Sequence, residues 1–185
     1  MFRISQYMRE LAHAEQTGHY PEVRERKARG PVVIWNLIRR CNLTCKHCYA
    51  LSADHDYVGE LTLPEVFTVM DDLKGFGVPA LILSGGEPLL RPDIFDISAQ
   101  ARKLGFYTGL STNGTLIDRP LAQRIAQEGF DYVGISLDGL KPTHDKFRRL
   151  DGAFDRSLAA VRFLGELGVK VGLRFTMTAM NAHDL

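Results

Sequence analysis

The sequence predicts an α/β protein built on a parallel sheet. Two observations carry this. Short apolar, β-branched runs alternate five times with longer amphipathic stretches, at the spacing of a βα unit. Residues suited to chemistry recur just after successive apolar runs, at what would be the C-terminal ends of parallel strands.

The elements follow in order. Ile4, Tyr7, Met8 and Leu11 have helical spacing, which predicts a short amphipathic helix over 4–12. The polar stretch 13–31, with Gly, Pro and mixed charge, reads as a linker or exposed arm. "VVIWNLI" (32–38) reads as a strand buried on both faces, with Trp35 in the core. A helix is predicted after Thr62, a plausible N-cap, with Pro64 in its first turn and Val66, Phe67, Met70 and Leu73 at helical spacing. Strands at 78–84, 106–112, 131–137 and 169–178 then alternate with helices at 91–105, 119–129 and 155–168. Gly105 ends the first of these helices. Asn181 looks like the cap of a helix that the chain does not continue. An open five-stranded sheet would leave an edge exposed, so a longer parent protein is expected.

Composition bounds the function. The chain has 185 residues, 45% hydrophobic and 24% charged, with a formal net charge of +1. That balance gives no support to bulk nucleic-acid or membrane attraction. No apolar run is long enough to span a bilayer, and the N-terminus lacks the apolar core of a secretory signal. All three cysteines, Cys41, Cys45 and Cys48, lie in "CNLTCKHC", which excludes a distributed disulfide framework and suggests a reducing cytoplasm.

Three thiolates at this spacing can converge on one metal centre. Two readings stand on the residues alone. His47 within the loop would complete a structural zinc site. A four-iron cluster held by three cysteines would keep one iron open for an exogenous ligand. The second strand runs into "SGGEP" (84–88), the third into "STNG" (111–114) and the fourth into "SLDG" (136–139). Each is a common turn by itself; their recurrence at one end of successive strands is not turn chemistry alone.

Taken in order, "CNLTCKHC", "GGEP", "STNG" and "SLDG" resemble the radical SAM enzymes over residues from about 31 onward. The resemblance implies a partial (β/α) barrel, truncated here after about five strands, with residues 1–30 as helix and arm and 31–185 as the core. It implies a [4Fe-4S] cluster on Cys41, Cys45 and Cys48. It implies S-adenosylmethionine on the open iron, cleaved after one-electron reduction to methionine and a 5′-deoxyadenosyl radical. Gly85, Gly86, Glu87 and Pro88 then correspond to the element holding the cofactor's amino group. Arg91, Thr112, Asn113, Ser136, Asp138 and Arg174 correspond to positions that meet its carboxylate or ribose in relatives.

Outside these motifs, "GPVVIWNLIRRCNLTCKHCYALSAD", "VMDDLKGFGVPALILSGGEPLLRPDIFDI" and "FYTGLSTNGTLID" are similar to the heme d1 biosynthesis branch of that family, the NirJ-type proteins. This implies a tetrapyrrole substrate related to didecarboxysiroheme, whose propionates are replaced by oxo groups. It implies an electron donor such as flavodoxin or ferredoxin. Arg39 and Arg40, just before the cysteine loop, are candidates for the substrate's carboxylates. The branch also carries a C-terminal second iron–sulfur cluster, for which this chain has no cysteines after Cys48. Two other readings remain: a peptide-modifying radical SAM enzyme, and a non-catalytic metal-binding scaffold.

Overall fold

The computed structural model describes residues 4–18 and 30–185. Helix α1 spans Ile4–Thr17 and so runs five residues past the predicted helix, into the stretch read as an arm. The basic arm residues Arg24, Arg26, Lys27 and Arg29 lie outside the described residues.

Five strands, β1 (Val32–Ile38), β2 (Ala80–Gly85), β3 (Tyr107–Thr112), β4 (Tyr132–Ser136) and β5 (Val171–Arg174), form one sheet in the order of the chain. Every neighbouring pair is parallel. Parallel neighbours need a crossover. It is supplied by α2 (Leu63–Gly75), α3 (Ile94–Lys103), α4 (Arg119–Glu128), and the pair α5 (Lys141–Arg148) and α6 (Ala153–Glu166). Local sequence starts several of these helices. Glu65 accepts from the Thr62 backbone N–H at 2.8 Å and from its hydroxyl at 2.7 Å, which holds the entry of α2. Asp118 accepts from the Leu121 N–H at 2.9 Å and starts α4.

Strand alternation divides the sheet into two faces. Val33, Trp35 and Leu37 of β1, Leu81 and Leu83, Leu110, and Val133 and Ile135 pack with Val66, Met70, Ile94, Ile97, Ile125 and Leu164 of the helices. Enclosing each large side chain contributes roughly 1.5–3 kcal/mol, so this face holds the domain together. The opposite face mixes small or polar residues, Asn36, Ser84, Ser111, Gly134, Ser136 and Gly172, with Ile34, Ile82 and Tyr132. Val32 and Ile34 on this face are exposed, so β1 is not buried on both faces as its sequence suggested. Trp35 is a packing residue, as its strand context predicted.

The structure departs from the sequence reading at several elements. The third predicted helix begins at Ile94 because Pro88–Leu90 form a separate 3-10 turn ahead of it. Ladder pairing of β5 stops at Arg174, four residues before the predicted end. Asn181 stands at the N-cap position of the 3-10 turn Ala182–Asp184 but makes no side-chain cap bond; its amide accepts from Thr178 and donates to the Asp138 and Thr176 carbonyls. Helix α5 was not predicted at all. It is eight residues long, with strongly polar composition, and only His144, Phe147 and Arg148 are buried.

His144 fixes α5 to the end of β4. The Asp138 backbone N–H donates to His144 Nδ1 at 3.0 Å, and His144 is enclosed. Burial, then the charge of Arg148, pull the imidazole pKa down to about 4 from its ordinary 6.5. Between these values the folded chain binds fewer protons at this site than the unfolded chain. The stability from His144 is therefore complete above about pH 6.5 and is lost as pH falls towards about 4. Urea midpoints should drop between about pH 7.5 and about pH 5.5. The drop should be smaller in His144→Gln; an equal drop in that variant assigns it to other groups.

Candidate active site at the C-terminal ends of the strands

The cysteine loop follows β1 and is laid against the turn that follows β2. The Gly86 N–H donates to the Ile38 carbonyl at 2.7 Å, and the Glu87 N–H to the Arg40 carbonyl at 2.9 Å. This close approach explains both glycines. A Cβ on Gly85 would overlap the Ile38 carbonyl oxygen, and one on Gly86 the Arg39 and Arg40 carbonyls. Gly85 also sits at φ +142°, a conformation that side-chain-bearing residues rarely adopt.

Each cysteine sulfur has an N–H donor beside it. Leu43 N–H is 3.4 Å from Cys41 Sγ, with Asn113 Nδ2 at 3.9 Å. Arg148 Nη1 is 3.6 Å from Cys45 Sγ, and Ser52 N–H is 3.5 Å from Cys48 Sγ. Donors of this kind favour thiolate over thiol. Burial works the other way. It pushes the Cys41 thiol up to about 11, with Glu87 and the other two cysteines adding to the effect. Burial also raises Cys45, opposed by Arg148.

Among the described residues, no three His, Cys, Asp or Glu side chains are gathered tightly enough to hold one metal ion. His47 is not turned into a zinc site: it stacks on Phe147 at 4.2 Å, with Nε2 3.9 Å from Asp138. A four-iron cluster takes its thiolates on different corners. A buried donor beside the loop, Arg148 Nε, has no partner, which suits a sulfur acceptor there. Cys41, Cys45 and Cys48 thus fit a cluster.

Glu87 is fully enclosed. Its Oε1 accepts from the Thr112 hydroxyl at 2.7 Å and the Leu89 N–H at 3.2 Å; its Oε2 accepts from the Asn113 N–H at 2.8 Å. Burial raises its pKa, and those donors oppose the rise. The carboxylate therefore ties the end of β2 to the end of β3. Pro88 opens the 3-10 turn that Glu87 caps. Asn113 bonds onward to Asn42 Oδ1 at 2.9 Å, which joins the third strand end to the cysteine loop.

Asp138 does the same for the fourth strand end. It is enclosed, pairs with Arg148 Nη2, and accepts from the Thr176 N–H at 2.8 Å. Ser136 is half-buried on the open face. Arg174 reaches along that face and donates to Ser111 Oγ. Arg91 is buried and makes four hydrogen bonds: two to Asp93, one to the Leu37 carbonyl at 2.9 Å and one to the Leu61 carbonyl at 2.8 Å. It binds β1 to the entry of α2.

The two arginines before the loop separate. Arg40 pairs with Asp54 at 2.7 Å and Asp56 at 3.0 Å. Arg39 is exposed; its Nε donates to the Ala50 carbonyl at 3.1 Å and its guanidinium lies 4.5 Å over the Tyr57 ring. It lines a cavity of about 450 Å³, with Trp35, Tyr57, Glu60 and the Gly85–Gly86 backbone.

Sequence reading missed Arg148, His144 and Phe147. The signal was present in "KPTHDKFRR", where these three share one helical face behind Pro142.

Comparison with known proteins agrees with this geometry. The family description "Radical SAM superfamily" matches residues 35–184. A pre-heme d1 synthase of Dinoroseobacter shibae is 52% identical over 100% of this chain and 45% of that protein. An Fe-coproporphyrin III synthase of Methanosarcina barkeri is 48% identical over 86% of this chain and 40% of that protein. The chain thus spans less than half the length of these relatives. Native anSMEcpe with bound AdoMet superposes with a TM-score of 0.63 at 26% identity, over 77% of this chain and 42% of the other. With five parallel strands, a cluster-compatible cysteine loop and that match over most of its length, the chain belongs to the radical SAM superfamily.

Proposed function

We propose that this chain is the S-adenosylmethionine-cleaving core of an enzyme that modifies a tetrapyrrole in heme biosynthesis. The observation that carries the first half is the docking of the cysteine loop on the Gly85–Gly86–Glu87 turn. The likeness to a pre-heme d1 synthase and an Fe-coproporphyrin III synthase supports the second half. The finer reading is that a propionate-bearing, didecarboxysiroheme-like macrocycle loses propionates in exchange for oxo groups. When bound, the cluster and cofactor would supply a 5′-deoxyadenosyl radical, after one electron from a donor such as flavodoxin or ferredoxin.

The chain's own residues would do the following. Cys41, Cys45 and Cys48 hold the cluster and must first lose their protons. Gly85 and Gly86 let the turn that carries Glu87 close on the main chain after β1. Glu87 Oε2 has one unused lone pair, and its enclosed charge favours an ammonium nearby. Ser136 and Arg174 on the open face offer a hydroxyl and a cation to the cofactor's ribose and carboxylate. Thr112, Asn113, Asp138 and Arg91 act through the loops they hold. Arg39 is the better partner for a substrate carboxylate, because Arg40 is already matched by two aspartates.

Anaerobic reconstitution should load about four irons per chain. In the metal-free chain, alkylation mapped by peptide mass spectrometry should label Cys41 last. Below about 11 its rate should rise about tenfold per pH unit, because the thiolate is the nucleophile. Loading should protect all three cysteines. One zinc per chain and no iron would replace this reading with a structural site.

Glu87→Gln should keep its iron but bind S-adenosylmethionine more weakly, by about 1–2 kcal/mol, as a charged acceptor becomes neutral. Calorimetric titration of the loaded variant measures this; unchanged affinity removes Glu87 from the cofactor site.

Arg39→Gln should weaken binding of didecarboxysiroheme more than Arg40→Gln does, with iron content unchanged in both. A ribosomal peptide serves as the control ligand. Binding of the peptide and not the tetrapyrrole moves the protein to a peptide-modifying role.

A further inference from the structure

Arg148 stands out because the site as described gives it no task. It lies on α5, more than a hundred residues after the loop it touches. Its Nη1 is 3.6 Å from Cys45 Sγ, and its side chain is only 9% exposed. Its Nη2 is paired to the enclosed Asp138, which fixes the guanidinium plane. Its Nε is buried with no partner. The helix around it is tied to the cysteine loop twice more. The Lys46 N–H donates to the Phe147 carbonyl at 2.9 Å, and the Phe147 ring stacks on His47. A buried guanidinium with one N–H on a ligand sulfur and another aimed at nothing has acceptors still to meet. The sulfurs of a cluster on this loop would be such acceptors.

We infer that Arg148 is a positioning residue for the cluster, and that its charge and its hydrogen bond to Cys45 set the cluster's reduction potential. The inference rests on the reading that Cys41, Cys45 and Cys48 hold a four-iron cluster. Reduction adds one electron, and so one negative charge, from a low-potential one-electron donor. A fixed cation against the ligand sulfur lowers the cost of that charge, more so because the site is shielded from water. Asp138 keeps the guanidinium in place and also offsets part of its charge. The net effect therefore depends on Nη1 being nearer the sulfur than the carboxylate is. Sequence reading assigned Asp138 to the cofactor; here it acts through Arg148.

The test uses the anaerobically loaded chain with dithionite as electron donor. Iron content, the EPR-monitored midpoint potential and the iron–sulfur stretching bands are read for wild type, Arg148→Gln and Arg148→Lys. Arg148→Gln should move the potential to more negative values, by at least a tenfold change in the reduced-to-oxidised ratio, about 59 mV for one electron. Arg148→Lys keeps the charge and loses the fork that reaches Asp138 and Cys45 together. Its potential should lie between the other two, and its stretching bands should rise as the bond to Cys45 Sγ is lost. If Arg148→Gln does not hold iron, Arg148→Lys decides: wild-type potential and wild-type bands overturn the inference. Loaded Arg148→Gln with the wild-type potential also overturns it. A wild-type chain that takes up no cluster overturns the proposed function, and this inference with it.

Discussion

Two main-chain hydrogen bonds, from Gly86 to Ile38 and from Glu87 to Arg40, hold the ends of β1 and β2 in contact. They exist only because neither Gly85 nor Gly86 carries a Cβ. The cysteine loop begins at the residue after Arg40, so its starting point is set by this contact. Everything at the C-terminal end of the sheet is then assembled outward from it. Glu87 carries the connection to Thr112 and Asn113, and Asn113 returns it to Asn42 within the cysteine loop. The result is a closed circuit through three strand ends.

A second circuit closes the other side of the loop. Asp138 leaves β4 and grips Arg148, and α5 returns to Cys45 and Lys46. Both anchors are enclosed carboxylates satisfied by several donors. Asp138 and Arg148 form a buried ion pair, and removing one partner of such a pair costs roughly 3–5 kcal/mol. Glu87 is held by a hydroxyl and two backbone N–H groups instead. Both circuits depend on the helix-facing core for rigidity, since Leu83, Leu110 and Ile135 anchor the strands whose ends they join.

The two sheet faces are filled differently. The helix side is dense with Leu, Ile and Val. The open side mixes glycine, serine and asparagine with Ile34, Ile82 and Tyr132, and Arg174 lies along it. Its glycines are covered by neighbouring side chains: Ile82 lies over Gly109, Arg174 over Gly134 and Tyr132 over Gly172.

Much of this was legible in the chain. The alternation of β-branched runs with amphipathic stretches determined five parallel strands, because each period constrains which face is buried. The cysteine spacing and the Gly-Gly-Glu turn marked two segments that the fold docks on one another. Clustered thiols serve ligand binding, and paired glycines before an acid serve close backbone approach; neither pattern is one that core packing requires. What the tertiary structure decided was partnership. Nothing local distinguishes Arg39 from Arg40, yet one faces a cavity and the other is matched by Asp54 and Asp56. Arg91 reads in sequence as a position that meets the cofactor, and four acceptor atoms, two on Asp93 and one each on Leu37 and Leu61, surround its guanidinium. Arg148 sits in a short polar helix with almost no hydrophobic signal, and only the crossover between β4 and β5 brings it to Cys45. Periodicity reports burial against a core; it carries no information on which charged group, far along the chain, will meet which sulfur.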